Sequence, residues 1–174
     1  IHRRGSRQAT VAILEVRAAV PNASGFDKRA EQLLAGTIQD FGMSYNKVAR
    51  YSLCFTGGVV RAGVEELLGQ LKAGGHQLVI TLGSEAIKYL CDTKKVLDKY
   101  AGSLTWNASL ATWVLPTHHP SVVYVGPKET LNSRYDKFDF LYDHIGRGIE
   151  LVTGVREFPP VEGVDVPWEF VGHN

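Results

Sequence analysis

The stretch Leu115-Pro116-Thr117-His118-His119-Pro120-Ser121 holds the densest polar chemistry in the sequence, and Gly126-Pro127-Lys128 follows it closely. A proline fixes its own φ and drives the preceding residue into extended geometry, so His119 is held on a stiff loop. An imidazole so placed can donate to a carbonyl, meet a phosphate or carry a proton. The plain alternative is a solvated loop that merely contains histidines. Adjacent histidines on extended backbone point to opposite sides, so one at most could ligate a metal, and no partner ligands are visible. No metal site and no cofactor are expected.

Two further chemistries can be weighed. Leu82-Gly83-Ser84 is a strand–glycine–helix junction whose free N–H groups could hold an anion. It lacks the Gly-Lys-Ser/Thr of a phosphate-binding loop and the second glycine of a nucleophile elbow. His119 could activate Ser84 or Ser121, but no acid presents itself to orient the imidazole. A small-molecule hydrolase is therefore a minority reading.

The elements that position these residues follow from periodicity. Residues 10–16 (TVAILEV) read as a buried strand, and a helix follows from about Lys28 to Phe41, capped by Asp27 and ended by Gly42. A strand over 48–55, a helix over 62–73 and a near-continuous apolar strand over 77–82 come next. Gly83 turns the chain and Ser84 caps a short helix. Short strands near 104–106 and 111–115 lead to the histidine loop, and a last helix spans about 131–151. Strands alternating with helices imply right-handed crossovers, so the expected fold is a three-layer α/β/α sandwich with a central parallel four-stranded sheet. Ligands of such sheets gather at the carboxyl ends of the strands. Residues 1–9 read as a flexible lead-in, 10–153 as one domain and 154–174 as a C-terminal arm or linker.

Bulk properties narrow the classes. The chain has 174 residues, 44% hydrophobic and 21% charged, with net charge +1. That suits a soluble, monomeric domain, and any nucleic-acid surface must be a local patch. No apolar run reaches the roughly 18 residues of a membrane span. Ile1-His2-Arg3-Arg4 opens no secretion signal. Two cysteines, Cys54 and Cys91, make no disulfide framework, so a reducing, cytoplasmic compartment is expected. A chain that opens on isoleucine is expected to be a processed product or a piece of something longer. Thr117, His118, Pro120, Ser121, Tyr124 and Lys128, with Gly83 and Ser84 nearby, form a group suited to positioning a DNA backbone. Phe26 and Tyr51 could stack on an extruded base.

Together, Leu82-Gly83 with Ala86, then Gly102, then Thr117-x-His119-Pro120-Ser121 resemble the uracil-DNA glycosylase superfamily, in particular its family 4-like branch. The resemblance extends from about Val11 to Leu151. It implies that His119 stabilises charge developing on a base carbonyl and that Phe26 stacks on the base. Ser52 takes the place of the base-reading asparagine, with a side chain too short for the paired contact. The carboxylate expected after the first strand has no counterpart in Arg17-Ala18-Ala19-Val20-Pro21-Asn22, leaving Asn22 or Asp27 as stand-ins. Four cysteines for an iron–sulfur cluster are lacking.

The implied function is a glycosylase-fold domain that binds DNA, single-stranded or with a flipped base, or a replication partner, with lost or much reduced excision. Similar domains are fused to bacteriophage DNA polymerases, which makes a polymerase partner and a viral origin the matching expectation. The alternative is an active N-glycosidase acting on uracil or another modified base.

Overall fold

The computed structural model describes residues 1–18, 28–57, 61–91, 97–124 and 131–161. Six strands form one mixed sheet: β1 (His2–Arg4), β2 (Val11–Ala18), β3 (Ala49–Phe55), β4 (Leu78–Leu82), β5 (Thr105–Asn107) and β6 (Thr112–Thr117), in the order β1-β3-β2-β4-β6-β5. The four inner strands run parallel, and β1 and β5 pair antiparallel at the edges. The sheet is thus wider than the four strands expected. The helices are α1 (Lys28–Asp40), α2 (Arg61–Gly74), α3 (Ser84–Leu90), α4 (Leu97–Tyr100) and α5 (Leu131–Thr153).

Two apolar layers cover the two faces of the sheet. Val11, Ile13, Leu78, Ile80 and Leu115 point to one side, where Leu34 and Ile38 of α1 and Leu141, Ile145 and Ile149 of α5 bury them. Ala12, Leu14, Tyr51, Val79 and Val114 point to the other, against Leu67 and Leu71 of α2 and Ala86 and Leu90 of α3. This strict alternation is the two-residue period of a strand buried on both faces. Helix α5 lies close to the sheet because glycine stands at the contact. A Cβ on Gly148 would meet Ile80, Leu78 and Leu115 at 3.0–3.2 Å, and one on Gly146 would enter the ring of Phe41.

Three expectations change. The lead-in 1–9 supplies β1, whose backbone pairs His2 with Ser52 and Arg4 with Arg50. A three-residue strand held by backbone pairing needs no apolar alternation, so composition does not reveal it. Ser84 is the first residue of α3, and Gly83, at φ +85°, holds the cap position without any side-chain bond. The strand before the histidines runs on to Thr117 and contains Pro116. That proline costs no ladder bond, because β5 pairs only with Thr112–Val114 and the Pro116 carbonyl takes the N–H of Gly102. The described start of the C-terminal arm folds back, with Phe158 stacked on Trp113 at 6.5 Å. Among the described residues no helix is long and apolar enough to cross a membrane.

Candidate functional site

Strand register creates the site. Glu15 pairs with Ser52 on one side and Leu82 on the other, and Leu82 pairs with Thr117. One row of residues therefore crosses the carboxyl half of the parallel strands, on the face covered by α1 and α5. β2 and β4 are neighbours whose following helices, α1 and α3, pack on opposite faces. The crevice between the ends of such strands is the topological switch point, where open α/β sheets take their ligands.

Glu15 occupies that crevice fully buried. A charge inside an apolar strand must find partners or forfeit its solvation, which costs several kcal/mol. Two hydrogen bonds and an ion pair answer it. Ser52 Oγ donates to Oε1 at 2.7 Å, Arg17 Nε forms an ion pair with Oε1 at 3.0 Å, and His119 Nε2 approaches Oε2 at 2.7 Å. Because the only Ser52 hydroxyl proton goes to Glu15, the Cys54 thiol 3.6 Å away is the donor toward Ser52 Oγ. Glu15 is the residue missed by the sequence reading, which expected no acid to orient His119. The acid lies within the strand rather than beyond it.

The geometry also fixes the His119 tautomer. The backbone N–H of Ser121 points at Nδ1 at 3.1 Å, and Ser121 Oγ lies 2.9 Å from the same nitrogen. A backbone N–H can only donate, so Nδ1 carries the lone pair. The proton of the neutral ring then sits on Nε2 and is given to Glu15. Pro120, at the start of a 3-10 turn over Pro120–Tyr124, stiffens the loop between them. Gly83 turns the chain beneath the loop at φ +85°: its N–H bonds the Thr117 carbonyl at 2.9 Å, and a Cβ there would be in ordinary contact, 3.5 Å from His119 Cβ.

The other expected residues divide clearly. Ser52 is buried and committed to Glu15, so it does not line an open base pocket. Thr117 is fully buried as well, with Oγ1 2.9 Å from His144 Nδ1 on α5, so its side chain belongs to the core and not to a DNA-facing surface. His144 is nearly buried and titrates well below an ordinary histidine, at about 4, chiefly through desolvation. Tyr51, expected to stack on a base, is fully buried on the opposite face. Ser84 and Ser121 are exposed and His118 is partly exposed; Tyr124 ends the turn. Phe26, Asn22, Asp27 and Lys128 lie outside the described residues. Among the described residues no group of three or more metal-ligating side chains occurs.

No protein-family model matches the sequence, and no curated protein does. Among solved structures the chain is similar to the crystal structure of a molybdopterin biosynthesis protein from Mycobacterium abscessus. The identity is 14%, over 83% of this chain and 97% of that one, with a TM-score of 0.41. A likeness so distant has no bearing on the site.

Proposed function

We propose that this chain is a nucleic-acid-binding domain of uracil-DNA glycosylase-like layout, in which a buried glutamate locks the His-Pro-Ser loop in place and base excision is weak or lost. The observation that carries the reading is the Glu15–His119 pair, which fixes a histidine loop at the switch-point crevice. Around it the return helices open on exposed basic residues, Lys28 and Arg29 in α1 and Arg61 in α2. Cations, small hydroxyls such as Ser84 and Ser121, and backbone amides are the groups that hold a phosphodiester backbone in register.

Low excision follows from how the site is filled. A carboxylate that activates water must meet water, and Glu15 is sealed with both oxygens occupied. It acts on the loop as a positioning residue. In its neutral form the imidazole has no spare N–H for a base carbonyl either, since the Nε2 proton goes to Glu15 and Nδ1 accepts from Ser121. Removing one preorganised donor from a developing oxyanion typically costs about 3–4 kcal/mol of transition-state stabilisation.

The second reading, an active N-glycosidase, draws on the same pair: a carboxylate does stand beside His119, as excision would require. Fluorescence anisotropy with single-stranded oligonucleotides over a salt series, beside single-turnover assays on uracil-containing DNA, separates the two. Salt-dependent binding without base release supports the binding domain. Base release that vanishes in His119→Ala supports the enzyme.

A further inference from the structure

A shallow, solvent-open cavity of about 280 Å³ lies on the α2 face at the β1 edge of the sheet, lined by Arg3, Arg7, Tyr51, Gln70, Ala73 and Gly74. It faces the layer opposite the Glu15 row, and none of its residues takes part in that site. Its arginines differ from most others in the fold. Arg4, Arg17, Arg50, Arg61, Arg147 and Arg156 each lie within 4.0 Å of a carboxylate. Among the described residues, Arg3 and Arg7 have no such ion pair. No acid is among the described residues that line the cavity, and Glu66 on α2 accepts from Gln70 at 3.2 Å.

Arg3 is also anchored as a binding arginine needs to be. His76 Nδ1 meets the Ala9 carbonyl at 2.6 Å, and a carbonyl only accepts, so the ring proton sits on Nδ1. His76 Nε2 is then an acceptor for the Tyr51 hydroxyl at 2.8 Å, and Tyr51 Oη accepts from Arg3 Nε at 3.1 Å. Burial lowers the pKa of His76 and keeps it neutral in this chain. Arg3 Nη2 donates to the Ser6 carbonyl at 2.9 Å. Two fixed bonds orient the guanidinium and leave Nη1 for a ligand. A guanidinium held in this way loses little entropy on binding and matches the oxygens of a phosphate. The carbonyl end of α2 adds about half a negative charge at the cavity, less than two guanidiniums supply.

We infer that this cavity is an anion site that takes a phosphate group between Arg3 and Arg7, with Tyr51 and His76 as positioning residues for Arg3. The phosphate can come from a free phosphate compound or from a nucleic-acid backbone.

Calorimetric titration of the full chain with inorganic pyrophosphate tests the site. Saturable binding is expected, weakened about tenfold or more by Arg7→Ala and by Tyr51→Phe, while Lys47→Ala, an exposed charge lost elsewhere, leaves it unchanged. Arg7 is exposed, so its variant folds whatever becomes of Tyr51. Displacement of pyrophosphate by a single-stranded oligonucleotide would identify the backbone as the source, and failure to displace it a free phosphate compound; either supports the site. No saturable binding, or binding indifferent to Arg7→Ala, overturns it.

Discussion

Glu15 Oε2 and His119 Nε2 stand 2.7 Å apart although 104 residues separate them in the chain. The pair ties the second half of a buried strand to a loop two strands away in the sheet, and it decides which nitrogen of the imidazole holds a proton. In nitrogen-15 NMR at neutral pH, His119 is predicted to be the Nε2-protonated tautomer. A proton on Nδ1 alone would contradict the geometry, because that nitrogen accepts from the Ser121 N–H.

Removing the carboxylate should unsettle the fold as well as the loop. In Glu15→Ala, Ser52, Arg17 and His119 lose a common buried partner, and breaking a buried ion pair on one side typically costs about 3–5 kcal/mol. Glu15→Gln keeps the shape and one acceptor oxygen, so its loss is smaller. Urea denaturation of the two variants checks this order; equal stability to the parent chain in Glu15→Ala would count against it.

His144 predicts a pH dependence with a definite sign. Its folded pKa is lowered to about 4 from an ordinary 6.5, so below pH 6.5 the unfolded chain binds the proton more readily. Stability is fully present above pH 6.5 and falls as pH drops toward 4, by up to about 3 kcal/mol from this group. His76, also lowered by burial, acts in the same direction. Thermal melts across this range should show a shallower slope in His144→Gln than in the parent.

Gly102 and Gly42 make a matched test of backbone strain against crowding. Both have positive φ, +83° and +87°. A Cβ at Gly102 would come 2.5 Å from His144 Nε2, while one at Gly42 meets nothing within 4 Å. Gly42→Ala should cost about 1 kcal/mol from conformation alone, and Gly102→Ala distinctly more. Equal losses in denaturant melts would argue against the tight His144 packing.

Much of the architecture is legible in the sequence because burial writes a period into it. The runs over 10–16 and 77–82, and the apolar spacing of Leu141, Ile145 and Ile149, announce strands and a helix that exist. β1 is not legible, since His2-Arg3-Arg4 has no apolar alternation and joins the sheet through backbone pairing and the Arg3–Tyr51 bond. The site is half legible. His119, Pro120 and Ser121 stand out as polar groups beside a proline, whereas Glu15 is hidden in an apolar run and its partner comes only with the register of β2, β4 and β6. One signal was available: a lone carboxylate in a strand as apolar as TVAILEV must have a buried partner. The inward turn of Thr117 toward His144 depends on α5 and has no local signature.

The clamp on the His119 loop is tested most directly by single-stranded DNA affinity, measured as a function of salt for the parent, Glu15→Gln and His119→Ala. Affinity is expected to fall as salt rises, with roughly tenfold weaker binding in both variants and little or no base released from uracil-containing DNA. Binding that is absent in the parent, or unchanged when Glu15 or His119 is replaced, would contradict the clamp.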